Sequence, residues 1–263
     1  VDLDIRGRTA FVSGSTQGIG YAVAAALAAE GARVVLNGRE RTGVDAAVAR
    51  LRAALPGAEV SGIPADFADP AQVDALLEQL PEVDVLVNNV GLFGLADFGS
   101  VDDAEWQRYL DVNLMSGVRL SRALLDPMLE RGWGRIVFVS SESGVNVPVD
   151  MVHYGVTKAA VIALGNGLAK RTRGTGVTVN TVLGGPTWSD GVAATIETIA
   201  AAQDAPVEAV QAAVIGQNRT TLLERFIRPD EIADLVAYLA SPRASATNGA
   251  AVRADGGVLT GML

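Results

Sequence analysis

Five short runs rich in β-branched residues punctuate the chain: TAFVS at 9–13, RVVLN at 33–37, VDVLVNN at 83–89, GRIVFVS at 134–140 and GVTVNTVL at 176–183. Each is apolar nearly throughout rather than at alternate positions. Such strands are covered on both faces and belong in a parallel sheet between layers of helices. Between the runs the spacing turns helical: Ile19, Val23 and Leu27 share one face, as do Val73, Leu76, Leu77 and Leu80. Ile232, Leu235, Val236 and Leu239 repeat the pattern after Pro229, which suits a first helical turn. The alternation predicts an α/β fold, a doubly wound and mostly parallel sheet with right-handed crossovers. Residues 185–228 break the rhythm, being alanine-rich and helical in tendency with no strand, and this is where a substrate lid is expected.

No linker, charge block or internal repeat divides the 263 residues, so one domain over 1–263 is expected. With 49% hydrophobic and 19% charged residues the chain has enough apolar material for a large core. No apolar run reaches the roughly 18 residues a membrane span needs; Glu30 and Arg33 interrupt the richest region. The opening VDLDIRGRTA lacks the apolar centre of a secretory signal, and a cytoplasmic location is the expectation. The absence of cysteine excludes disulfides, cysteine-ligated zinc and thiol catalysis. A net charge of −9 weighs against nucleic acid or an anionic membrane as the main partner.

After the first strand comes SGSTQGIG, in which Gly14, Ser15, Thr16, Gln17, Gly18, Ile19 and Gly20 lead directly into a helix. A tight strand-to-helix turn points backbone N–H groups and the positive helix end at a pyrophosphate, and glycine leaves room for the approach. The spacing is GxxxGxG, and its position after strand one makes this a Rossmann-like dinucleotide loop. The second strand ends in NGRE, where an acid would bind the ribose 2′-hydroxyl of NAD and a cation the 2′-phosphate of NADP. Asn37 and Arg39 stand there instead of an acid, and a planar guanidinium suits phosphate, so NADP(H) is the preferred cofactor, with NAD(H) possible.

HYGVTKAA at 153–160 puts Tyr154 and Lys158 four positions apart, on one helical face. An ammonium about 4 Å from a phenol, at an effective dielectric of about 20, favours the phenolate by up to about 4 kcal/mol. A tyrosine so placed becomes a usable proton donor and acceptor. The run IVFVSSESG brings Ser140 and Ser141 to the carboxyl end of a buried strand, at the crevice where such sheets bind ligands.

These residues resemble the short-chain dehydrogenase/reductase family from about residue 7 to the carboxyl end. The family's TGxxxGIG stands here as SGSTQGIG, its NNAG as NNVG at 88–91 and its YxxxK as YGVTK at 154–158. In that family the active serine lies thirteen positions before the tyrosine, which selects Ser141, and its helix-borne asparagine matches Asn113 in LDVNLMSG. The resemblance implies hydride transfer between nicotinamide and a small-molecule carbonyl/alcohol pair. Tyr154 would exchange the proton, Lys158 would tune it and hold the nicotinamide ribose, Ser141 would bind the substrate oxygen and Asn113 would hold a water. It further implies that Asp66 and Phe67 contact adenine, that Asn89 lines the cofactor and that Asn88 ties the central strands. His153 reads as a pocket wall rather than a general base. Similar sequences include 3-oxoacyl-carrier-protein reductases and sugar, polyol and steroid dehydrogenases. A homotetramer or homodimer built by the helices that begin near residues 102 and 153 is also implied. The alternative is a non-catalytic NAD(P)-binding sensor or regulatory protein of the same fold.

The chain departs from the family at three places. Ser13 replaces a threonine and keeps the hydroxyl, and Val90 adds bulk to NNAG. Gly184 and Gly185 take the place of Pro-Gly, which leaves Thr187 and Ser189 as carboxamide contacts and suggests a looser nicotinamide end. Trp188, Ile196, Ile199 and Ile215 in the following segment read either as an apolar substrate cover or as the packing of a helical hairpin on the body or of a subunit interface.

Overall fold

The structure, a computed structural model, describes residues 2–217 and 221–262. Strand β1 (Thr9–Val12) leads to α1 (Gly18–Ala29), β2 (Arg33–Gly38) to α2 (Arg41–Ala54) and β3 (Val60–Pro64) to α3 (Pro70–Gln79). After β4 (Val85–Asn88) come α4 (Asp103–Tyr109), a π-helical turn at Leu110–Met115 and α5 (Ser116–Glu130). Strand β5 (Trp133–Ser141) runs through a 3₁₀ turn at Glu142–Gly144 into α6 (Val152–Arg171). Then follow β6 (Gly176–Gly184), α7 (Asp190–Gln203), α8 (Val207–Gln217), α9 (Pro229–Leu239) and β7 (Ala251–Ala254).

The described strands form one parallel sheet in the order β3-β2-β1-β4-β5-β6-β7. The chain adds strands outward from β1 in one direction, then reverses at β4, and the carboxyl ends of β1 and β4 open a crevice there. The five runs legible in the sequence are the five interior strands. The two edges, VSGIP and AVRA, are short and largely half-exposed, one carrying Gly and Pro, so neither shows a continuous apolar run.

Alternate residues of each strand feed opposite layers. Val12, Val34 and Leu36 pack with Val23 and Leu27 of α1 and Val236 of α9. Phe11, Leu86 and Phe138 pack with Leu120 of α5 and Val161 of α6 on the other face. Pro229 does open α9, and Glu231 caps its start by accepting the Arg228 N–H at 2.8 Å.

The segment 185–228, of which 218–220 lie outside the described residues, folds as a helical hairpin around a small core of its own. Ile196, Ala200 and Val210 are buried there, Ile199 packs against them, and Trp188 meets Phe226 edge to face at 5.3 Å. The packing reading of Ile196 and Ile199 therefore describes them better than a substrate cover; Ile215 instead borders a separate cavity beside Trp188 and Phe226. Among the described residues no helix is long and apolar enough to cross a membrane.

Candidate active site

The glycine loop, the end of β2 and the end of β4 enclose a cleft of about 360 Å³ bordered by Thr16, Gln17, Ile19, Arg39, Asp66 and Ser189 among others. Its floor is braced by side chains that hold backbone. Ser13 Oγ accepts the N–H groups of Asn89 and Val90 at 2.9 and 3.1 Å, so the hydroxyl kept at this position ties β1 to β4. Ser15 Oγ donates to the Val12 carbonyl at 2.7 Å and accepts the Asn37 N–H at 3.0 Å. Asn37 accepts from Gly14 N–H at 3.1 Å and donates to the Ile63 carbonyl at 3.1 Å. Asn89 donates to the carbonyls of Ser13 and Gly14 at 3.1 and 2.9 Å. The side chains of Ser15, Asn37 and Asn89 are thus committed to shaping the loop.

Two observations test whether this cradle suits a dinucleotide. A Cβ on Gly20 would run into the Gly14 carbonyl oxygen, so only glycine permits the turn to close this tightly onto the helix. The N–H of Gly18, first residue of α1, is taken by the Asp190 carboxylate at 2.6 Å, showing that the helix end accepts an anion. The donor set fits a diphosphate.

Arg39 is exposed at the cleft and forms no ion pair among the described residues. A second guanidinium, not singled out from the sequence, reaches the loop from α2: Arg50 donates to the Thr16 carbonyl at 3.0 Å and lies 3.7 Å above the Tyr21 ring. Asp66 turns its carboxylate to the Ala68 N–H at 2.9 Å, and the Phe67 ring is buried in the core beneath the cleft.

The second half of the site lies where β5 ends and α6 begins. Ser140 Oγ donates inward to the Lys158 carbonyl at 2.9 Å, whereas Ser141 Oγ caps the 3₁₀ turn by accepting the Ser143 N–H at 3.1 Å. Ser141 also lies close enough to Tyr154 for its hydroxyl to lower the phenol's pKa. Lys158 is buried, and Nζ donates to the Val139 carbonyl at 3.1 Å while standing 5.7 Å from the centre of the Tyr154 ring. Asn113 sits on the π-helical turn, accepting the Leu92 N–H at 2.6 Å and donating to the Leu92 carbonyl and Thr157 Oγ1, both at 3.0 Å. A Cβ on Gly91 would be 3.3 Å from Lys158 Nζ and 3.5 Å from Asn113 Oδ1, so the two side chains flank one point. His153 is buried against the Tyr109 ring at 4.4 Å.

Proton affinities differ from the expectation based on spacing alone. Burial pushes Tyr154 up to about 12, against the Ser141 hydroxyl, which lowers it, and Glu142, whose charge raises it further. Burial pushes Lys158 down to about 8. The lysine leans on a carbonyl rather than on the phenol, so desolvation outweighs its help to a phenolate.

Glu142 is a neighbour whose importance the sequence did not signal. Its carboxyl is raised by burial and by Asp255, and is held down by the Ser143 and Ser141 hydroxyls.

Ser189 reaches the cleft and caps α7, while Thr187 Oγ1 is spent on the Gly185 carbonyl at 2.8 Å. The glycine pair does not loosen this end. Gly184 is buried in register with Ser141 and Ala254, and a Cβ on Gly185 would strike the Asp255 carbonyl oxygen, so the pair serves close packing.

Residues 8–200 match the family model of short chain dehydrogenases. The uncharacterized oxidoreductase YvaG of Bacillus subtilis (strain 168) is 41% identical over 258 residues, 98% of each chain. The 3-oxoacyl-acyl-carrier-protein reductase FabG of Escherichia coli (strain K12) is 31% identical over 260 residues, covering 97% of this chain and 99% of its own. The crystal structure of L-sorbose reductase from Gluconobacter frateurii, complexed with NADPH and L-sorbose, superposes with a TM-score of 0.94 at 30% identity over the whole of both chains. The chain belongs to the short-chain dehydrogenase family, as an oxidoreductase that interconverts carbonyl and alcohol groups with a nicotinamide dinucleotide.

Proposed function

We propose that this enzyme prefers NADP(H) and uses Tyr154 as the proton donor to a carbonyl oxygen in reduction and as the acceptor in alcohol oxidation. The observation that carries the reading is the convergence of Ser141, Tyr154, Lys158 and Asn113 at the carboxyl end of the sheet, beside a cleft shaped for a diphosphate. When bound, the dinucleotide supplies or takes the hydride. Everything else is done by side chains. Ser141 donates to the substrate oxygen and steadies the charge that develops there. Tyr154, at about 12, carries its proton throughout the neutral range and so holds it ready for that oxygen. Lys158, at about 8, exchanges protons near neutrality and can restore the balance after each transfer. Asn113 fixes the loop after β4 and the start of α6 around that lysine.

The 2′-phosphate preference is supported by Arg39 at the cleft, by Arg50 on the glycine loop and by the NADPH bound in the L-sorbose reductase. Residues 185–228 act as the lid over the substrate end. Self-association as a homotetramer or homodimer is assigned to α4 and α6. Consumption of NADPH and of NADH against a carbonyl panel tests the reading, with Tyr154→Phe as the control. The variant should keep the wild-type circular dichroism spectrum and lose activity on the order of 10²–10⁴-fold. Cofactor binding without turnover of any carbonyl would leave the sensor reading instead.

A further inference from the structure

The carboxyl of Glu142 stands beside Ser141 and near Tyr154. It follows Ser141 directly and opens the 3₁₀ turn that Ser141 caps, and its Oε2 is 3.5 Å from Ser141 Oγ, the outer limit of a hydrogen bond. It is close enough to Tyr154 for its charge to act on the phenol. Among the described residues its support is slight. The groups that act on it are the Ser143 and Ser141 hydroxyls, burial and the negative Asp255; no lysine or arginine offsets them.

Ser141 has one hydroxyl proton to give. That hydroxyl lies within reach of both Glu142 and Tyr154, while the Ser141 oxygen is already taken by the Ser143 N–H. Binding a carbonyl at Ser141 commits that proton to the substrate oxygen and leaves Glu142 with the Ser143 hydroxyl as its remaining donor. An acceptor left short in a partly buried site weakens binding unless the incoming molecule brings a donor of its own. The geometry limits where that donor must be. Glu142 and Ser141 are adjacent and their polar atoms are 3.5 Å apart, so a hydroxyl on the carbon next to the carbonyl spans the gap. A carboxylate at that position would face Glu142 and Asp255, both negative when ionised.

We infer that Glu142 is a specificity-determining residue that accepts a hydrogen bond from a substrate hydroxyl on the carbon beside the reacting carbonyl, directing the enzyme to α-hydroxy ketones in reduction and vicinal diols in oxidation. This rests on the carbonyl–alcohol reading above. The reaction itself is unchanged: hydride to the carbonyl carbon, the Tyr154 proton to its oxygen, and the neighbouring hydroxyl retained.

The test uses matched ketones of increasing size that differ only by a hydroxyl or a methyl beside the carbonyl, 1-hydroxy-2-propanone against 2-butanone being the smallest pair. For the wild type, kcat/KM with NADPH should favour the hydroxylated partner by about ten- to a hundredfold, the range of one hydrogen bond to a charged group. In Glu142→Ala that ratio should collapse toward one, whatever happens to the absolute rates. Glu142→Gln, which keeps the shape and one acceptor oxygen, should retain part of the ratio and reduce 2-oxo acids such as pyruvate better than the wild type does. A wild type without the hydroxyl preference, or variants that lose activity equally on both partners with the ratio intact, would overturn the inference and leave the activity standing. No turnover of any ketone with either cofactor would remove the activity reading, and the inference with it.

Discussion

A hydrogen bond from Gly18 to Asp190 joins the nucleotide side of the cleft to the 185–228 segment, yet the two are held by different means. On the nucleotide side four polar side chains are tied to backbone: Ser13, Ser15, Asn37 and Asn89 fix the glycine loop to fully buried strands β1 and β4. Among the described residues the hairpin rests on a small core of three buried residues and an isolated bridge between Thr187 and Ile227. A surface that meets a diphosphate gains from rigidity, whereas a segment proposed as a lid gains from lighter anchoring. The residues proposed as catalytic belong to the rigid side. Their burial sets both their chemistry and a cost to stability.

Lys158 offers the largest break in that relation. Lys158→Met should lower kcat on the order of 10²–10⁴-fold. Stability should move the other way. The folded amine titrates at about 8 against an ordinary 10.5, so between those values the unfolded chain binds the extra proton and the wild type gains stability as pH rises. Below the window the folded protein carries the whole penalty of a buried charge, about 3 kcal/mol from the pKa difference. Methionine removes that penalty. At pH 7 the variant's Tm should rise by several degrees, at about 2–4 °C per kcal/mol for a chain near this size. The gain should shrink through the window and vanish above its upper limit. Thermal denaturation at pH 7 and pH 10 measures it; a variant less stable than the wild type at pH 7 would show that Lys158 holds the site together rather than straining it.

Arg39 sharpens the comparison from the exposed side, where binding depends on charge more than on packing. Arg39→Asp should weaken NADPH by about ten- to a hundredfold, the range of charge-assisted hydrogen bonds, and alter NADH much less. Titration of both cofactors by fluorescence separates the outcomes, since equal losses would make Arg39 a general loop charge. Arg50 stays in place as the internal reference.

The contrast also explains what the sequence made legible. Interior strands declare themselves because both faces are buried, and the Tyr154–Lys158 pair because a helix repeats every four residues or so. The loop glycines are legible because a backbone that must approach another closely leaves few other choices. Strands β3 and β7 escape because their half-exposed edges carry no unbroken apolar run. Arg50, Glu142 and Asp190 escape for another reason: their meaning lies in partners brought together by topology, Asp190 and Gly18 being 172 positions apart. The proton affinities of Tyr154 and Lys158 escape as well, because spacing shows that they are neighbours while only the packed structure shows how their surroundings shift them.

Asp190 tests the contact between the two sides directly, with the smallest expected effect. Its carboxylate accepts the Gly18 N–H at the helix end proposed to meet a diphosphate oxygen, and it opens α7, so it latches the hairpin to that helix end. Cofactor binding must then displace one negative group with another and leave the first nearby. Asp190→Asn keeps the size and weakens the latch. A charge at a helix end is worth about 0.3–1 kcal/mol in an exposed setting, so NADPH should bind about two- to fivefold tighter to the variant. The gain should fall as salt is added, because the contact is exposed and screened. Isothermal titration at low and high ionic strength reads both. Weaker binding in the variant would mean that Asp190 serves the loaded enzyme, and the latch would then be a feature of the closed lid rather than a competitor of the cofactor.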